Sequence, residues 1–181
     1  MVFLCLLRTT SETHMTLELL YEKHARQVYN LALQYVQHVP DAEEITQDVF
    51  VSAYKSLDKF RNEADHGTWL YRITINKSLD FLKAKKRKKR FSWLPSGIAE
   101  NDPVEFNHPG VLLENREETA RIFSFINELP DKQKTALILN KIEQLSLGEI
   151  AVIMELTTKA VESLVQRAKT NLSKKIGGSE G

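Results

Sequence analysis

Apolar side chains recur every three or four residues along most of the chain, a spacing that places them on one face of a helix. The first such segment spans residues 17–37, and its apolar positions are Leu17, Leu20, Tyr21, Val28, Leu31 and Tyr35. Pro40 ends this segment, and Asp41 with Glu44 predicts a capping box for a second helix. The buried face of that second helix is predicted to carry Ile45, Val49, Tyr54 and Leu57.

The same period predicts helices through the rest of the chain. A polar loop at Phe60–Gly67 precedes a third helix, which starts near Thr68 and continues into a basic run. Four more helices are expected in the second half: about 114–129, 131–144, a short one capped by Ser146 and a longer one capped by Thr157. The alternation typical of strands is weak throughout, so we predict an all-α fold.

The distribution of charged residues, prolines and glycines divides this helical chain in two. Lys83–Arg90 is basic at every position except Ala84, whereas Phe91–Gly110 has acidic residues, prolines and glycines but no lysine or arginine. Proline and glycine without an apolar period are typical of a linker. We therefore predict two small helical domains, at 15–90 and 114–176, joined by a flexible linker at 91–113. Residues 1–14 are interpreted as a disordered tail or a start-site artefact, with a short docking helix as the alternative, and 177–181 as a tail.

Composition narrows the class of protein further. Apolar residues make up 42% and charged residues 27% of the 181 positions, which excludes wholesale disorder. The single cysteine, Cys5, excludes an internal disulfide framework, and the histidines lack metal-ligand spacing with cysteines or carboxylates. There is no glycine-rich phosphate loop, and no stretch is long and apolar enough for membrane insertion. We expect no catalytic residue, metal or cofactor, and hence no enzyme.

The clearest motif lies in the last two predicted helices. A short helix, a turn at residues 155–157 and a longer helix form the layout of a helix-turn-helix. Small Ala151 allows the helices to cross closely, with Ile150, Val161 and Leu164 filling the crossing. Polar side chains of the longer helix then face outward and can contact base edges and phosphates: Lys159, Glu162, Ser163, Gln166, Arg167 and Thr170. An ordinary helical hairpin with a solvated face is the alternative.

The third predicted helix carries two faces of different chemistry. The apolar face consists of Tyr71, Ile75, Leu79 and Leu82, and the other of Trp69, Arg72, Asn76, Asp80 and Lys83. An aromatic ring, a guanidinium and an amide together suit stacking on an unpaired base, and the basic run beyond them would supply phosphate contacts. Core packing of Trp69 and a solubilising role for the basic run are the alternatives.

The second predicted helix has an acidic start, made of Asp41, Glu43, Glu44, Gln47 and Asp48. Phosphates would repel this surface, whereas a basic protein partner would suit it, with Phe50 and Tyr54 nearby as apolar anchors. An ordinary solvated face, with acids near the positive end of the helix dipole, is the alternative.

Two stretches together resemble one protein family. Residues 41–90 are similar to the second region, and residues 126–176 to the fourth region, of bacterial RNA polymerase sigma factors of the sigma-70 family, in the extracytoplasmic-function (ECF) group. They occur in the family's order with a linker between them. The resemblance implies a cytoplasmic transcription initiation factor that binds core RNA polymerase, reads −10 and −35 promoter elements and helps to melt DNA. It also implies an anti-sigma partner, which could be membrane-bound, and autoinhibition of the free chain by packing of its domains or by that partner.

The resemblance gives roles to three sets of residues. Glu44, Gln47 and Asp48 match the region that docks on the clamp helices of the polymerase large subunit, and Asp41, Phe50 and Tyr54 complete the predicted docking surface beside them. Single-stranded −10 DNA, with a base flipped into the loop, is assigned to Phe60, Arg61, Asn62, Trp69, Arg72, Asn76, Lys77, Lys83, Lys85, Lys86 and Arg87. Duplex −35 DNA is assigned to Thr158, Lys159, Glu162, Ser163, Gln166, Arg167 and Lys169. Contact with the polymerase flap is implied for the fourth region.

The sequence departs from the family pattern in the helix-turn-helix. Glu155 stands where glycine is frequent in the turn, and Glu162 and Leu164 stand where basic residues are frequent. An acidic residue on the recognition face could accept a hydrogen bond from the cytosine amino group, or it could face solvent. These departures leave the predicted fold intact and the −35 contacts open.

Two other classes of protein fit parts of the pattern. A stand-alone helix-turn-helix regulator would bind duplex DNA without polymerase, but it would leave the acidic helix and the Trp69 face unexplained. An adaptor that sequesters a regulator would read no promoter, and charge reversal at Glu44 and Asp48 would then leave transcription unchanged.

Overall fold

The computed structural model describes residues 17–57, 65–91 and 116–177. Their helices are α1 (Leu17–Val36), α2 (Val39–Ser56), α3 (His66–Phe91), α4 (Arg116–Asn127), α5 (Asp131–Lys141), α6 (Leu147–Met154) and α7 (Thr158–Gly177). These ranges contain no strand, so the predicted all-α fold is confirmed. The predictions for residues 1–14, for most of the polar loop and for the linker beyond residue 91 lie outside the described residues.

The junction between α1 and α2 differs from the predicted one. His38 is the N-cap residue of α2, and Pro40 lies in the first turn, where a missing backbone N–H removes no helix bond. Asp41 is therefore inside the helix, and the predicted capping box with Glu44 is wrong. Gln37 closes α1 instead: its φ is 54°, and its N–H donates to the Leu33 carbonyl at 2.8 Å.

The first three helices pack around one apolar cluster. Its buried members are Leu20, Val28, Ala32 and Leu33 of α1, Ala42, Ile45, Val49, Phe50 and Ala53 of α2, and Leu70 of α3. Trp69, Ile73 and Phe81 of α3 pack against this cluster. The face of the third helix that packs in this bundle is therefore not the predicted apolar stripe.

The last four helices form a second bundle that ends in the predicted helix-turn-helix. Ser146 and Glu149 form the predicted capping box at the start of α6, each side chain bonded to the other's backbone N–H. The Thr157 hydroxyl accepts from the backbone N–H of Ala160 at 3.2 Å, which caps α7 as expected. Ile150 and Val161 are fully buried where the two helices cross.

The two bundles pack directly on each other. The apolar cluster of the second bundle also takes in Leu31 and Tyr35 of α1 and Tyr71 and Ile75 of α3, with Leu79 and Leu82 of α3 against its edge. The predicted apolar stripe of α3 thus faces the second bundle and not its own. Because each large apolar side chain removed from water stabilises by about 1.5–3 kcal/mol, this shared cluster is the main force holding the bundles together.

Candidate nucleic-acid and polymerase interfaces

The outer face of α7 presents the whole predicted −35 set. Thr158, Lys159, Glu162, Gln166, Arg167 and Lys169 are exposed, and Ser163 is partly exposed. Arg167 Nη2 donates to Ser163 Oγ at 2.8 Å, which fixes the guanidinium along the helix. The face combines donors, acceptors and cations, the types of group that contact base edges and phosphates.

The turn before α7 is built around Glu155 in a left-handed conformation, with φ at 55°. The N–H of Leu156 donates to the Ala151 carbonyl at 3.0 Å, and that of Glu155 donates to the Val152 carbonyl at 3.4 Å. This pair of bonds is a Schellman closure, in which glycine is the usual residue. A residue with a Cβ costs about 1–2 kcal/mol in this conformation. The Cβ of Glu155 therefore strains the backbone at this position.

The Arg72 guanidinium binds the side chain of Glu155. Arg72 Nη1 donates to Glu155 Oε1 at 2.7 Å, and Arg72 Nη2 donates to the Val152 carbonyl at 2.5 Å. Both acceptors belong to the carboxyl end of α6, where the helix dipole favours a cation. Arg72, which the sequence assigned to −10 DNA, is thus engaged by the helix-turn-helix of the other bundle.

The other residues predicted to contact −10 DNA do not all lie together on one surface. Asn76 is exposed and lines, with Arg72, a cleft of about 280 Å³ between α3 and the second bundle. Trp69 is half-buried against the first apolar cluster, which agrees with the core-packing alternative for its ring. Lys77 is partly exposed. The predicted residues Phe60, Arg61 and Asn62 lie outside the described residues.

The basic run continues α3 as a helix up to Phe91. Lys85 Nζ donates to Asp41 Oδ2 at 2.7 Å, and Lys83 Nζ lies 3.6 Å from Asp131 Oδ2 of the second bundle. Lys86 and Arg87 are exposed. The pair of Lys83 with Asp131 is exposed on both sides. An exposed ion pair contributes only about 0–1 kcal/mol, so Lys83 can exchange its partner for a phosphate.

The acidic start of α2 is open to solvent at three of its predicted docking positions. Glu44, Gln47 and Asp48 are exposed. The carboxylate of Asp41 is different, because it lies between Lys85 and His38, whose Nδ1 is 3.1 Å from Asp41 Oδ1. Its charge is therefore already paired within the chain.

The two apolar anchors predicted on α2 are placed differently from each other. Tyr54 is 59% exposed, whereas Phe50 is only 6% exposed and belongs to the first apolar cluster. Tyr21 of α1, which the sequence placed on a buried face, is 52% exposed and stacks edge-to-face on Phe50, with the ring centroids 4.8 Å apart. Tyr21 is therefore an apolar group of this surface that the sequence analysis missed.

A second set of polar contacts between the bundles was not indicated by the sequence. Glu143, between α5 and α6, accepts from Tyr71 Oη at 2.7 Å and from Gln34 Nε2 at 2.5 Å. Tyr35 Oη donates to Thr135 Oγ1 at 2.8 Å. Burial raises the pKa of Tyr71, and the hydrogen bond to Glu143 raises it further. The phenol therefore remains a donor at neutral pH.

Lys134 of α5 is buried at the same boundary. Its Nζ donates to the Tyr35 carbonyl at 3.2 Å and to Asn127 Oδ1 at 2.5 Å. Burial lowers the pKa of this lysine to about 8, with a smaller contribution from the nearby charge of Lys86. Periodicity predicted a helix here, but it gave no sign that one of its lysines is buried.

Within residues 17–57, 65–91 and 116–177, no group of three or more histidine, cysteine, aspartate or glutamate side chains is placed to hold a metal ion. None of the helices in these ranges is both long and apolar enough to cross a membrane.

A helix-turn-helix with an exposed polar recognition helix, joined to a second helical bundle with basic and acidic surfaces, defines a DNA-binding regulatory protein. Residues 20–88 match Sigma-70 region 2, and residues 119–172 match Sigma-70 region 4. The ECF RNA polymerase sigma-E factor of Escherichia coli (strain K12) is 31% identical over 163 residues, which cover 87% of this chain and 85% of the relative. The corresponding protein of Haemophilus influenzae is 32% identical, with 87% and 86% covered. The chain belongs to the ECF group of RNA polymerase sigma factors.

Two solved structures have a similar fold. CnrH, in complex with the cytosolic domain of CnrY, gives a TM-score of 0.63 at 24% identity, covering 90% of this chain and 88% of that one. The sigma factor RpoE of Bartonella quintana, in complex with the anti-sigma factor NepR, gives 0.61 at 20% identity, covering 87% and 94%. As a member of the sigma family, the chain is a transcription initiation factor that directs RNA polymerase to promoters, and it is not an enzyme.

Proposed function

We propose that three surfaces of the chain divide the work of initiation. The exposed face of α2 docks on the clamp helices of the polymerase large subunit, while the second bundle contacts the flap. The loop before α3 and the helix itself hold single-stranded −10 DNA, and α7 reads the −35 duplex. The observation that carries this proposal is the outer face of α7, where Gln166, Arg167 and their neighbours are exposed while Val161 is fully buried.

Charge distribution supports separate partners for two helices of the first bundle. Glu44 and Asp48 would repel phosphates but attract a basic protein surface. Lys86 and Arg87, at the far end of α3, are exposed and suit phosphates. One bundle can therefore bind polymerase and DNA at the same time through different helices.

Promoter melting follows from binding in this scheme. Flipping a base out of the stack costs a few kcal/mol, and a pocket that binds the flipped base offsets that cost. Capture of unpaired −10 bases then shifts the duplex toward the melted state without ATP. The predicted linker at 91–113 keeps the second DNA site at high effective concentration once the first is bound.

Regulation by a protein partner is part of the same proposal. Both solved structures of similar fold hold a second protein, CnrY in one and the anti-sigma factor NepR in the other. We infer that this chain works in the bacterial cytoplasm and is held inactive there by an anti-sigma protein, which could itself be membrane-bound.

The roles can be separated by two substitutions in the full chain. Asp48→Lys is expected to weaken binding to core RNA polymerase about tenfold, which is about 1.4 kcal/mol, and to leave binding to a −35 duplex unchanged. Gln166→Ala is expected to do the reverse. Binding to core polymerase from a close organism is measured first, followed by transcription from a library of random promoters.

Glu118→Lys on α4 is the matched control for charge reversal, because Glu118 is also exposed but lies on neither α2 nor α7. If Asp48→Lys and Gln166→Ala behave alike in both assays, the division of roles is wrong. If the folded chain does not bind core polymerase at all, the proposed function fails.

A further inference from the structure

Three exposed apolar side chains come together where α1 begins and α2 ends. Tyr21 of α1 is 52% exposed, and Val51 and Tyr54 of α2 are 38% and 59% exposed. The ring of Tyr21 lies edge-to-face on Phe50, and Val51 and Tyr54 follow Phe50 along α2, one residue and about one turn later. Contiguous exposed apolar side chains mark a binding surface. We call Tyr21, Val51 and Tyr54 the α1–α2 patch.

The start of the sequence supplies an apolar segment to cover this patch. Residues 2–7 read VFLCLL, six apolar residues in succession. A run of this kind has no polar side to turn toward water, in a helix or in a strand. We infer that residues 2–7 dock on the α1–α2 patch of the same chain and compete there with core polymerase. This inference rests on the proposed function, in which Tyr54 belongs to the polymerase-docking surface.

The length of the connection allows this docking. The structure describes α1 from Leu17 onward, and Tyr21 lies one turn further along the helix, about 6 Å along its axis. The path from Leu17 through the rings of Tyr21 and Phe50 to Tyr54 is about 25 Å or less. Residues 8–16 connect the apolar segment to α1, and nine residues can span about 30 Å. The segment can therefore reach the whole patch of its own chain.

Charges beside the two surfaces are complementary. Arg8, the one basic residue among residues 1–16, directly follows the apolar segment. Glu18 lies three residues before Tyr21 and Asp48 three residues before Val51, and both carboxylates are exposed. Side chains three positions apart are neighbours on a helix surface. An apolar segment followed by a guanidinium thus fits an apolar patch with carboxylates beside it.

A weak contact is sufficient because the segment and the patch belong to one chain. A short connection gives an effective concentration on the order of millimolar. A contact with a dissociation constant of about 0.3–1 mM is then formed in about half to three-quarters of the molecules. Short apolar segments that bind exposed patches do not need to form a stable complex on their own to reach this occupancy.

The consequence is selective for one of the three proposed surfaces. Polymerase must displace the segment from Tyr54, so its apparent affinity falls in proportion to the fraction of molecules in which the patch is free. That fraction implies a reduction of about two- to fourfold. The recognition face of α7 lies in the other bundle, so binding to a −35 duplex is not affected.

Cys5 reports directly on docking, because it lies within the apolar segment and is the single cysteine of the chain. The rate at which its thiol reacts with an aromatic disulfide reagent is measured in the full chain and in a peptide of residues 1–16. The full chain is expected to react about two- to fourfold more slowly, since a docked thiol is inaccessible. Val51→Ser/Tyr54→Ser is expected to restore the rate of the peptide. Val152→Ser is the matched control, because Val152 is 53% exposed but lies on α6.

Competition is measured with full-length variants of the segment. Phe3→Asp/Leu6→Asp places charges in the apolar run and is expected to bind core polymerase about two- to fourfold more tightly than wild type. Thr9→Asp/Thr10→Asp adds the same charge to the connection and is expected to bind polymerase as wild type does. Both variants are expected to bind a −35 duplex, selected from the promoter library, with wild-type affinity. Addition of polymerase to wild type is expected to raise the reactivity of Cys5.

The outcomes separate docking of the segment from the proposed function. If Cys5 reacts as fast in the full chain as in the peptide, or stays protected in Val51→Ser/Tyr54→Ser, docking on the patch is overturned and the proposed function stands. Protection that grows with protein concentration assigns the patch to a second copy, which also overturns docking within one chain.

Two further outcomes concern polymerase. Unchanged polymerase affinity in Phe3→Asp/Leu6→Asp, with Cys5 protected in wild type, overturns the competition. If neither wild type nor this variant binds polymerase while Cys5 is protected and then released by Val51→Ser/Tyr54→Ser, the proposed function fails and docking of the segment stands.

Discussion

Lys134 Nζ lies 3.2 Å from the carbonyl oxygen of Tyr35 and 4.9 Å from the centre of the Tyr35 ring. Lys134 belongs to α5 and Tyr35 to the last turn of α1, so the ammonium caps a helix of the other bundle. Arg72 makes the reciprocal contact, from α3 to the carboxyl end of α6. Each bundle thus supplies a cation to a helix end of its neighbour, where free carbonyls favour positive charge.

Stability is expected to depend on pH through Lys134. Its pKa is about 8 in the folded chain, against 10.5 for an exposed lysine, because burial disfavours the charged form. The unfolded chain therefore binds more protons between these values, and the free energy of unfolding rises with pH in this window. The rise from pH 7.5 to pH 9.5 is expected to be about 1–2 kcal/mol, measured by urea unfolding at each pH.

Lys134→Met is expected to remove this rise, because methionine fills a similar volume without a titrating group. Lys132→Met is the control, since Lys132 is exposed two residues earlier on the same helix. The titration stops below pH 10, because the raised pKa of Tyr35 and of Tyr71 acts in the opposite direction beyond it. An unchanged slope in Lys134→Met would show that other groups produce it.

Tyr71→Phe is expected to lower the free energy of unfolding by about 1–2 kcal/mol, because it removes a hydrogen bond to a partly buried carboxylate. The lost partner is Glu143, which then keeps its hydrogen bond from Gln34. Tyr54→Phe serves as the control, since its ring is mostly exposed. Equal unfolding midpoints for Tyr71→Phe and the control would mean that Glu143 contributes little to closure.

The two aromatic anchors predicted on α2 are expected to respond differently to truncation. Phe50→Ala should destabilise the chain by about 3–5 kcal/mol, because it empties a buried site. Tyr54→Ala should leave stability nearly unchanged and weaken binding to core polymerase. Thermal unfolding and polymerase binding are measured on both, with Tyr21→Ala as a third variant that tests the missed apolar group. Loss of stability in Tyr54→Ala would contradict its role as a surface anchor.

Two neighbouring residues of α7 are expected to separate base readout from phosphate binding. Gln166→Ala should lose about 1–3 kcal/mol of discrimination at one base pair of the −35 element. Lys169→Ala should weaken binding to all duplexes alike and lower the slope of log affinity against log salt by about 1. Competition titrations at several salt concentrations distinguish the two patterns, and a salt slope that changes equally in both variants would contradict the assignment.

Sequence reasoning predicted best the structural features that depend on residues close together in the chain. The capping box of Ser146 and Glu149, the cap at Thr157 and the buried pair Ile150 and Val161 each depend on residues a few positions apart. The helix-turn-helix was therefore predicted almost residue by residue. The prediction for the junction at Pro40 was wrong because proline can end one helix or begin the next, and sequence alone did not decide between these roles.

Contacts between distant parts of the chain were not predictable in the same way. Apolar period showed that one stripe of α3 is buried but not which bundle covers it, and that stripe turned out to face the second bundle. The predicted helices gave no sign that Lys134 and Glu143 bond to the first bundle, because such contacts are set by the packing of whole bundles. Arg72 was correctly placed on a polar face, yet its partner Glu155 is 83 residues away.

The apolar cluster shared by Tyr71, Ile75 and the second bundle has a thermal consequence. Attraction between apolar surfaces weakens as water is cooled, because the driving force is largely entropic near room temperature. The ion pairs at the rim do not share this dependence and are too weak to compensate. Cooling is therefore expected to weaken the apolar contact between the two bundles.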